Sequence, residues 1–207
     1  MLCSRQPEDF RRRKRGALIR GVPPPKARGY NSKGGTCRLF YLDVICLLKF
    51  YDVDLEYANY LRNYDGKVPY ISYDANNKFV CGIVLDLGSY KYFVPVSSNK
   101  NKQKTNLLIC DDNKRVLSSL KFSFMFPAPL SVVQEKDFSI IKLVDPNYAA
   151  LLEKEYLFCR NNEDAIFAKA RQVYKIGCNP NHVLNRHCCN FSLLERKQEE
   201  WMKLHQD

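Results

Sequence analysis

Residues 79–96 have the sequence FVCGIVLDLGSYKYFVPV, in which two β-rich runs flank the turn-forming segment Asp86-Leu87-Gly88-Ser89. β-Branched and aromatic residues favour strands, and a short segment with glycine between two such runs predicts a hairpin. Pro95 has no backbone N–H, so we expect its strand to lie at an edge of the sheet or to carry a bulge. The remainder of the fold is predicted outward from this hairpin.

Further strands are predicted on both sides of the hairpin. Residues 49–54 alternate apolar and polar side chains, and residues 106–110, 116–126 and 131–134 form strand-like segments separated by turns. Five or six short strands in succession indicate one compact, strongly twisted antiparallel sheet or a small barrel.

Helices are predicted after the first strand and throughout the C-terminal part of the chain. Asp54 and Asp145-Pro146 are typical helix starts, and Ser192-Leu193-Leu194-Glu195 has the pattern of a capping box. The fold class is therefore α+β, and its predicted helices span roughly residues 55–64, 146–160, 163–177 and 192–205.

The positive charge is concentrated at the N-terminus. The 207 residues hold 33 Lys and Arg against 22 Asp and Glu, and residues 1–48 contain 11 of the basic and 3 of the acidic residues. This segment, with Arg11-Arg12-Arg13-Lys14-Arg15 and Pro23-Pro24-Pro25, lacks helical and strand periodicity. We expect residues 1–48 to be an extension that is either disordered or not part of the native product. The alternative is a basic arm that binds nucleic acid. Residues 49–207 are predicted to form a single domain.

Composition favours a cytoplasmic protein without a metal. No apolar run approaches the roughly 20 residues that span a bilayer, and the odd count of nine cysteines, without a visible secretory signal, favours a reducing compartment. Cysteine and histidine cluster at Cys178, His182 and 187–189, but this spacing does not match the paired knuckles of structural zinc sites. We therefore expect neither a metal nor another cofactor.

The segment 97–104, Ser-Ser-Asn-Lys-Asn-Lys-Gln-Lys, is the strongest candidate for chemistry in the sequence. Two serines stand at the predicted end of a strand, and three lysines follow at alternate positions. Hydroxyl donors and positive charges in this arrangement can bind an oxyanion such as phosphate. Upstream, Tyr73 and Lys78 supply a phenol and an amine that can transfer protons if they converge on Ser98. The residues alone leave two interpretations open: a phosphate site that binds RNA, or a solvated surface loop.

Five segments carry a family resemblance: Lys49-Phe50-Tyr51, Cys81-Gly82-Ile83-Val84-Leu85, residues 92–100, residues 120–127, and Cys189-Asn190-Phe191-Ser192-Leu193-Leu194-Glu195. In this order, over about 150 of the 207 residues, they resemble the ToxN/AbiQ family of type III toxin–antitoxin endoribonucleases. The resemblance implies a twisted antiparallel sheet or barrel similar to the MazF and Kid toxins, flanked by helices.

The resemblance also implies an activity and a set of partners. The toxin would cleave single-stranded RNA without a metal, by attack of the ribose 2′-OH, and leave 2′,3′-cyclic phosphate and 5′-OH ends. Its antitoxin would be a small RNA of pseudoknot repeats, processed by the same active site and bound in a closed protein–RNA assembly. Cellular or phage mRNA would be the substrate, with no membrane and no obligate protein partner. The alternatives are a non-catalytic RNA-binding member of the fold and a basic DNA-binding or scaffold protein that acts through residues 1–48.

Site residues are carried over by position. The family's catalytic segment falls on Ser97, Ser98 and Lys100, where this chain has Ser in place of a common Thr and Asn99 in place of a common Pro. The family's loop tyrosine and lysine map to Tyr73 and Lys78, with a spacing that is one residue longer. The expected RNA-binding residues are Lys49, Tyr51, Lys102, Lys104 and Lys121.

Overall fold

The structure is a computed structural model, and it describes residues 48–72 and 78–205. The predictions for residues 1–47 and for Tyr73 lie outside this range. The strands are β1 (Lys49–Val53), β2 (Val80–Asp86), β3 (Lys91–Ser97), β4 (Asn106–Cys110), β5 (Val116–Lys121), β6 (Phe126–Pro127) and β7 (Val133–Glu135). The helices are α1 (Leu55–Tyr64), α2 (Phe138–Val144), α3 (Pro146–Asn161), α4 (Glu163–Gly177) and α5 (Phe191–Leu204).

The seven strands form one antiparallel sheet in the order β4-β5-β3-β2-β1-β7, and β6 pairs with β3 beside this path. The α+β class, the hairpin of β2 and β3 and the antiparallel sheet are therefore confirmed. The barrel is not confirmed, because no strand pairing among the described residues joins β4 to β7 and the sheet remains open. The segment predicted as one strand over 116–126 is interrupted by a 3-10 turn at Phe122–Phe124.

The edge position predicted for Pro95 is wrong, because β3 lies inside the sheet, whereas the predicted irregularity is present in the β2–β3 ladder, between Cys81 and Leu85 of β2. Val96 N donates to Phe79 O on the β2 side at 3.2 Å, so the neighbouring nitrogen of Pro95 faces the other side. On that side β3 changes partner, from β6 at Phe93 to β5 at Val96. Pro95 therefore lies between the two ladders, where the absence of its N–H removes no hydrogen bond between paired strands.

Helix starts follow the capping predictions in two of three cases. The side chains of Asp54 and Asp145 accept hydrogen bonds from Tyr57 N and Tyr148 N, both at 2.9 Å. The third helix, α5, begins earlier than predicted, because Asn190 caps it by accepting from Leu193 N at 3.2 Å. The helix α2 was not predicted.

Helices α3 and α4 cover one face of the sheet. Phe50 of β1 packs edge-on against Tyr156 of α3, with ring centroids 5.7 Å apart, and α3 and α4 also contact β2, β4 and β5. Side chains of a strand alternate between faces, so Pro95, Ser97, Ser119 and Lys121 share the opposite face of β3 and β5. None of the helices in the described ranges is long and apolar enough to cross a membrane.

Candidate functional site

A cleft of about 470 Å³ opens where β3 ends. The sheet face opposite α3 and α4 supplies Pro95, Ser97 and Lys121, because Ser97 pairs with Ser119 and Lys121 lies two residues further along β5. The segment that follows α1 supplies a second wall. The remaining lining residues are Arg62, Gly66, Lys67, Val68, Pro69, Lys78, Asn99, Gln103 and Phe124. We call this the first cleft.

Hydrogen bonds hold the turn that carries the predicted catalytic hydroxyl. Ser97 Oγ accepts from Asn99 N at 3.3 Å, and Ser119 Oγ donates to Asn99 O at 2.6 Å. Ser98 lies between Ser97 and Asn99, two residues that line the cleft, and is itself exposed to solvent. Lys100 follows on the exposed loop. The turn is therefore fixed to the sheet, and Ser98 is exposed between two residues that line the cleft.

The lysine-rich loop after this turn is braced by Asn106, which is buried. Its Oδ1 accepts from Gln103 N at 2.7 Å and its Nδ2 donates to Asn101 O at 2.9 Å. Lys100, Lys102 and Lys104 project from this loop and are exposed. A braced backbone with exposed, charged side chains is suited to contacting phosphates along a strand of RNA.

Lys121 lies at the buried end of the first cleft, with 6% of the residue exposed. Its Nζ donates to the neutral Gln103 Oε1 at 3.1 Å, and burial lowers the pKa of the amine. Arg62, Lys67 and Lys78 line the same cleft, and none of the described residues in its lining is Asp or Glu. The first cleft is thus strongly cationic and complementary to a polyanion.

A second cleft of about 510 Å³ adjoins the first. Lys67, Gln103 and Phe124 line both clefts, and the second cleft adds further cations at Lys104 and Arg186. It has no carboxylate among its described lining residues. We call the two clefts together the basic groove, because they share three lining residues.

The structure places the predicted residues unevenly around this groove. Lys78, Ser97 and Lys121 line the first cleft, Lys104 lines the second, and Ser98, Lys100 and Lys102 lie on the adjoining turn and loop. Lys49 and Tyr51 are on β1, two strands away from β3, and neither lines the groove.

The two β1 residues have other contacts. Lys49 Nζ forms an ion pair with Glu135 Oε2 at 2.5 Å, which raises the pKa of the lysine. The Tyr51 ring packs edge-on against Phe93, with centroids 5.3 Å apart. Tyr73 lies outside the described residues.

The sequence did not predict several residues of the groove, including Arg62, Lys67, Phe124 and Arg186. The first two carry no local motif, and Phe124 belongs to a segment predicted as a strand. Arg186 lies between His182 and His187, in the cysteine and histidine segment, where no periodic pattern marks it as a groove residue. In the described part of the chain, no group of three or more His, Cys, Asp or Glu is arranged to hold a metal ion.

Residues 49–199 match the sequence family described as toxin ToxN of type III toxin–antitoxin systems. The chain belongs to the ToxN toxin family. It is similar to endoribonuclease ToxN of Pectobacterium atrosepticum, with 32% identity over 179 residues, 77% of this chain and 97% of that protein. Endoribonuclease ToxN of Bacillus thuringiensis subsp. kurstaki is 30% identical over 162 residues, 74% of this chain and 84% of that protein. Endoribonuclease AbiQ of Lactococcus lactis subsp. lactis is 27% identical over 179 residues, 79% and 95% of the two chains.

Solved ToxN-family structures have a similar fold. One, from a type III system in which a non-coding RNA pseudoknot selectively inhibits the toxin, gives a TM-score of 0.71 at 30% identity, covering 75% of this chain and 98% of that one. The structure of AbiQ, a lactococcal anti-phage endoribonuclease of the type III class, gives a TM-score of 0.67 at 25% identity with the same coverage. The open antiparallel sheet with flanking helices is therefore the architecture that this chain shares with the ToxN family.

Proposed function

We propose that this chain is a toxin that cleaves single-stranded RNA without a metal ion and is inhibited by an antitoxin RNA. The observation that carries the proposal is the first cleft, which has four basic side chains, no carboxylate in its described lining, and a braced Ser-Ser-Asn-Lys turn at its edge. The relatives named as endoribonucleases support the same activity.

The proposed reaction is an intramolecular transesterification within the RNA. The ribose 2′-oxygen attacks the adjacent phosphorus, the bond from phosphorus to the 5′-oxygen breaks, and the products carry a 2′,3′-cyclic phosphate and a 5′-OH. The 2′-OH loses one proton and the leaving 5′-oxygen gains one. Negative charge accumulates on the phosphoryl oxygens in the transition state, where fixed cations and hydroxyl donors stabilise it most.

Each predicted residue has a role in this reaction. The Ser98 hydroxyl positions the 2′-OH and the scissile phosphate, Lys100 stabilises the transition state, and Ser97 supports the turn through its contact with Asn99 N. Tyr73 and Lys78 are the proposed proton-transfer pair. Lys102, Lys104 and Lys121 hold phosphates outside the reacting centre, in the groove or on its loop. Lys49 and Tyr51, which do not line the groove, are proposed to contact RNA that extends beyond it.

The antitoxin is proposed to occupy the same groove as the substrate. An RNA of pseudoknot repeats would bind the toxin in a closed protein–RNA assembly after the active site had processed its precursor, and cellular or phage mRNA would be the target. One cationic groove suits both ligands because both are polyanions that present phosphates to the same side chains. The solved relative that a pseudoknot RNA inhibits supports an RNA antitoxin.

Growth of bacteria after induction tests the catalytic proposal. We expect the chain to arrest growth and Ser98→Ala to relieve the arrest at equal expression. The matched control is Ser89→Ala, an exposed serine in the hairpin turn at the opposite end of β3, which should remain as toxic as the parent. A version that lacks residues 1–47 should also arrest growth, because the proposed catalytic domain spans 49–207.

Two outcomes would contradict the proposal. If Ser98→Ala is as toxic as the parent chain, the Ser98 mechanism is wrong. If neither form is toxic, a non-catalytic RNA-binding protein of the same fold replaces the enzyme as the better account, because RNA binding requires the basic groove but not turnover.

A further inference from the structure

The second cleft has features that the cleavage step does not use. We propose that it is a nucleotide-binding subsite, in which a base next to the scissile phosphate stacks on Phe124 and the phosphate of that nucleotide binds Lys67, Lys104 and Arg186. The inference rests on the proposed function, because it assigns the second cleft to the same RNA strand that is cut in the first.

Phe124 is placed at the junction of the two clefts. It ends the 3-10 turn Phe122–Phe124, which Met125 N closes by donating to Phe122 O at 3.3 Å. Phe122 is fully buried in the core, whereas Phe124 is only partly buried and lines both clefts. A partly exposed ring among cations offers a stacking surface for a nucleobase, which binds single-stranded RNA without requiring a particular base.

The cations of the second cleft are held in place by local contacts. Lys67 Nζ donates to Cys188 O at 2.7 Å, which fixes the ammonium in the wall that the two clefts share. Arg186 Nε donates to His187 Nε2 at 3.2 Å, which orients the guanidinium. Because Lys104 is also in the lining and no described carboxylate is, the charge complements a phosphate.

Segments far apart in the sequence are hydrogen-bonded to each other around this cleft. Cys189 N donates to Ser123 O at 2.8 Å, which joins the segment that carries Arg186 to the 3-10 turn that carries Phe124. The hydroxyl residues Thr105 and Ser123 are nearly buried in the lining, where they can meet the polar edge of a base. A volume of about 510 Å³ is within the range of small-ligand sites and accommodates one nucleotide.

The experiment uses RNA in which one nucleotide at a time is changed around a cleavage site mapped with the wild-type protein. We expect an abasic residue at one flanking position to lower kcat/KM of the wild type about 10-fold, the scale of losing one stacked base. Phe124→Leu should lower kcat/KM about 10-fold on intact RNA and cause no further loss on that abasic RNA. Phe124→Tyr, which keeps a stacking ring, should restore cleavage.

A second readout does not depend on cleavage. In 2′-O-methyl RNA, which cannot be cut, 2-aminopurine reports stacking by loss of its fluorescence. We expect quenching at the same flanking position with the wild type and not with Phe124→Leu. Arg186→Ala should reduce the slope of the logarithm of the binding constant against the logarithm of the salt concentration by about one. The control Arg171→Ala, at an exposed arginine of α4 outside both clefts, should leave this slope unchanged.

The outcomes separate the subsite from the proposed function. If Phe124→Leu loses the same factor on intact RNA and on every abasic RNA, the ring has a structural role and the subsite is refuted. If the wild type binds the 2′-O-methyl RNA but cuts no RNA, the catalytic proposal fails. The subsite is then tested by fluorescence alone: quenching at one position that Phe124→Leu removes supports it, and quenching that Phe124→Leu leaves unchanged refutes it. If the wild type does not bind RNA, both are wrong.

Discussion

At the scale of single residues, burial of the Lys121 amine lowers the stability of the fold, and the same amine is proposed to bind RNA. Burial lowers the pKa of its amine from the ordinary 10.5, so the folded chain binds this proton less tightly than the unfolded chain does. Folding is therefore penalised while the amine is charged, and stability rises with pH between the folded and the unfolded pKa. A buried cation facing a cleft is a feature that stability alone would not retain.

We predict that Lys121→Met stabilises the protein and weakens RNA binding. The expected gain is about 1 kcal/mol at neutral pH, or roughly 2 to 4 °C in Tm for a chain of this size, and it should shrink as the pH approaches 10.5. Thermal unfolding across pH measures the gain, and RNA titration at several salt concentrations measures the loss. A lower Tm for the variant would contradict the burial penalty.

Only some residues of the groove could be predicted from the sequence. Ser97 was predicted from its place at a strand end, and Lys78 and Lys121 from positions carried over from the family; all three line the first cleft. Lys67 and Arg186 could not be predicted, since they reach the groove from segments that meet only through tertiary contacts such as Lys67 Nζ to Cys188 O.

At the scale of elements, the pairing of β3 with β5 positions the proposed catalytic turn. Ser97 and Ser119 are directly opposite each other, and the Ser119 hydroxyl holds Asn99 O at 2.6 Å. Ser119 is fully buried and acts on the turn rather than on substrate. The register of two strands therefore determines where Ser98 and Lys100 stand.

We predict that Ser119→Ala lowers kcat about 10-fold and changes KM little, because the turn loses a hydrogen bond that orients the reacting groups. Steady-state cleavage separates the two constants. The matched control is Ser118→Ala, the preceding buried serine of β5, whose side chain points to the other face of the sheet. Equal effects of the two substitutions on kcat would show that Ser119 acts through general stability.

The start of α5 is a second element whose role was misjudged from sequence. Its Glu195, expected in a capping box, accepts hydrogen bonds from Tyr92 Oη at 2.7 Å and Tyr174 Oη at 2.8 Å. Burial, together with these hydrogen bonds, raises the pKa of both phenols. The segment 189–195 thus links β3, α4 and α5, which gives a structural reason for its part in the family resemblance.

We predict that Glu195→Ala destabilises the fold by about 2 kcal/mol, because two phenols, one of them fully buried, lose a charged acceptor. Glu195→Gln, which keeps an acceptor oxygen, should cost less. Urea unfolding monitored by far-UV circular dichroism measures both variants. A cost below 0.5 kcal/mol for the alanine variant, on the order of an exposed surface change, would contradict this role.

At the scale of the whole molecule, the placement of the charges decides where a polyanion is attracted more than the net charge does. The 33 basic and 22 acidic residues are unevenly placed, and several carboxylates outside the groove are held in ion pairs, including Lys49 with Glu135, Lys91 with Asp86 and Lys136 with Asp52. The basic groove keeps cations without described carboxylates in its lining. Local potential of this kind steers a polyanion to the cleft.

The order of elements was largely predictable from periodicity and caps, whereas the closure of the sheet was not. Strand patterns report which faces are apolar but not whether the terminal strands meet, and a barrel and an open sheet have the same alternation. Pro95 shows the same limit, since its tolerance inside the sheet depends on a change of partner from β6 to β5 that no local pattern encodes.

The most direct test of the catalytic account is the chemistry of the RNA ends produced by purified protein, freed of RNA, in the presence of EDTA. The account predicts cleavage of single-stranded RNA to 2′,3′-cyclic phosphate and 5′-OH ends, a loss of at least about 100-fold in rate for Ser98→Ala with RNA binding retained, and no change for Ser89→Ala. Cleavage that EDTA abolishes, 5′-phosphate ends, or an undiminished rate for Ser98→Ala would contradict it.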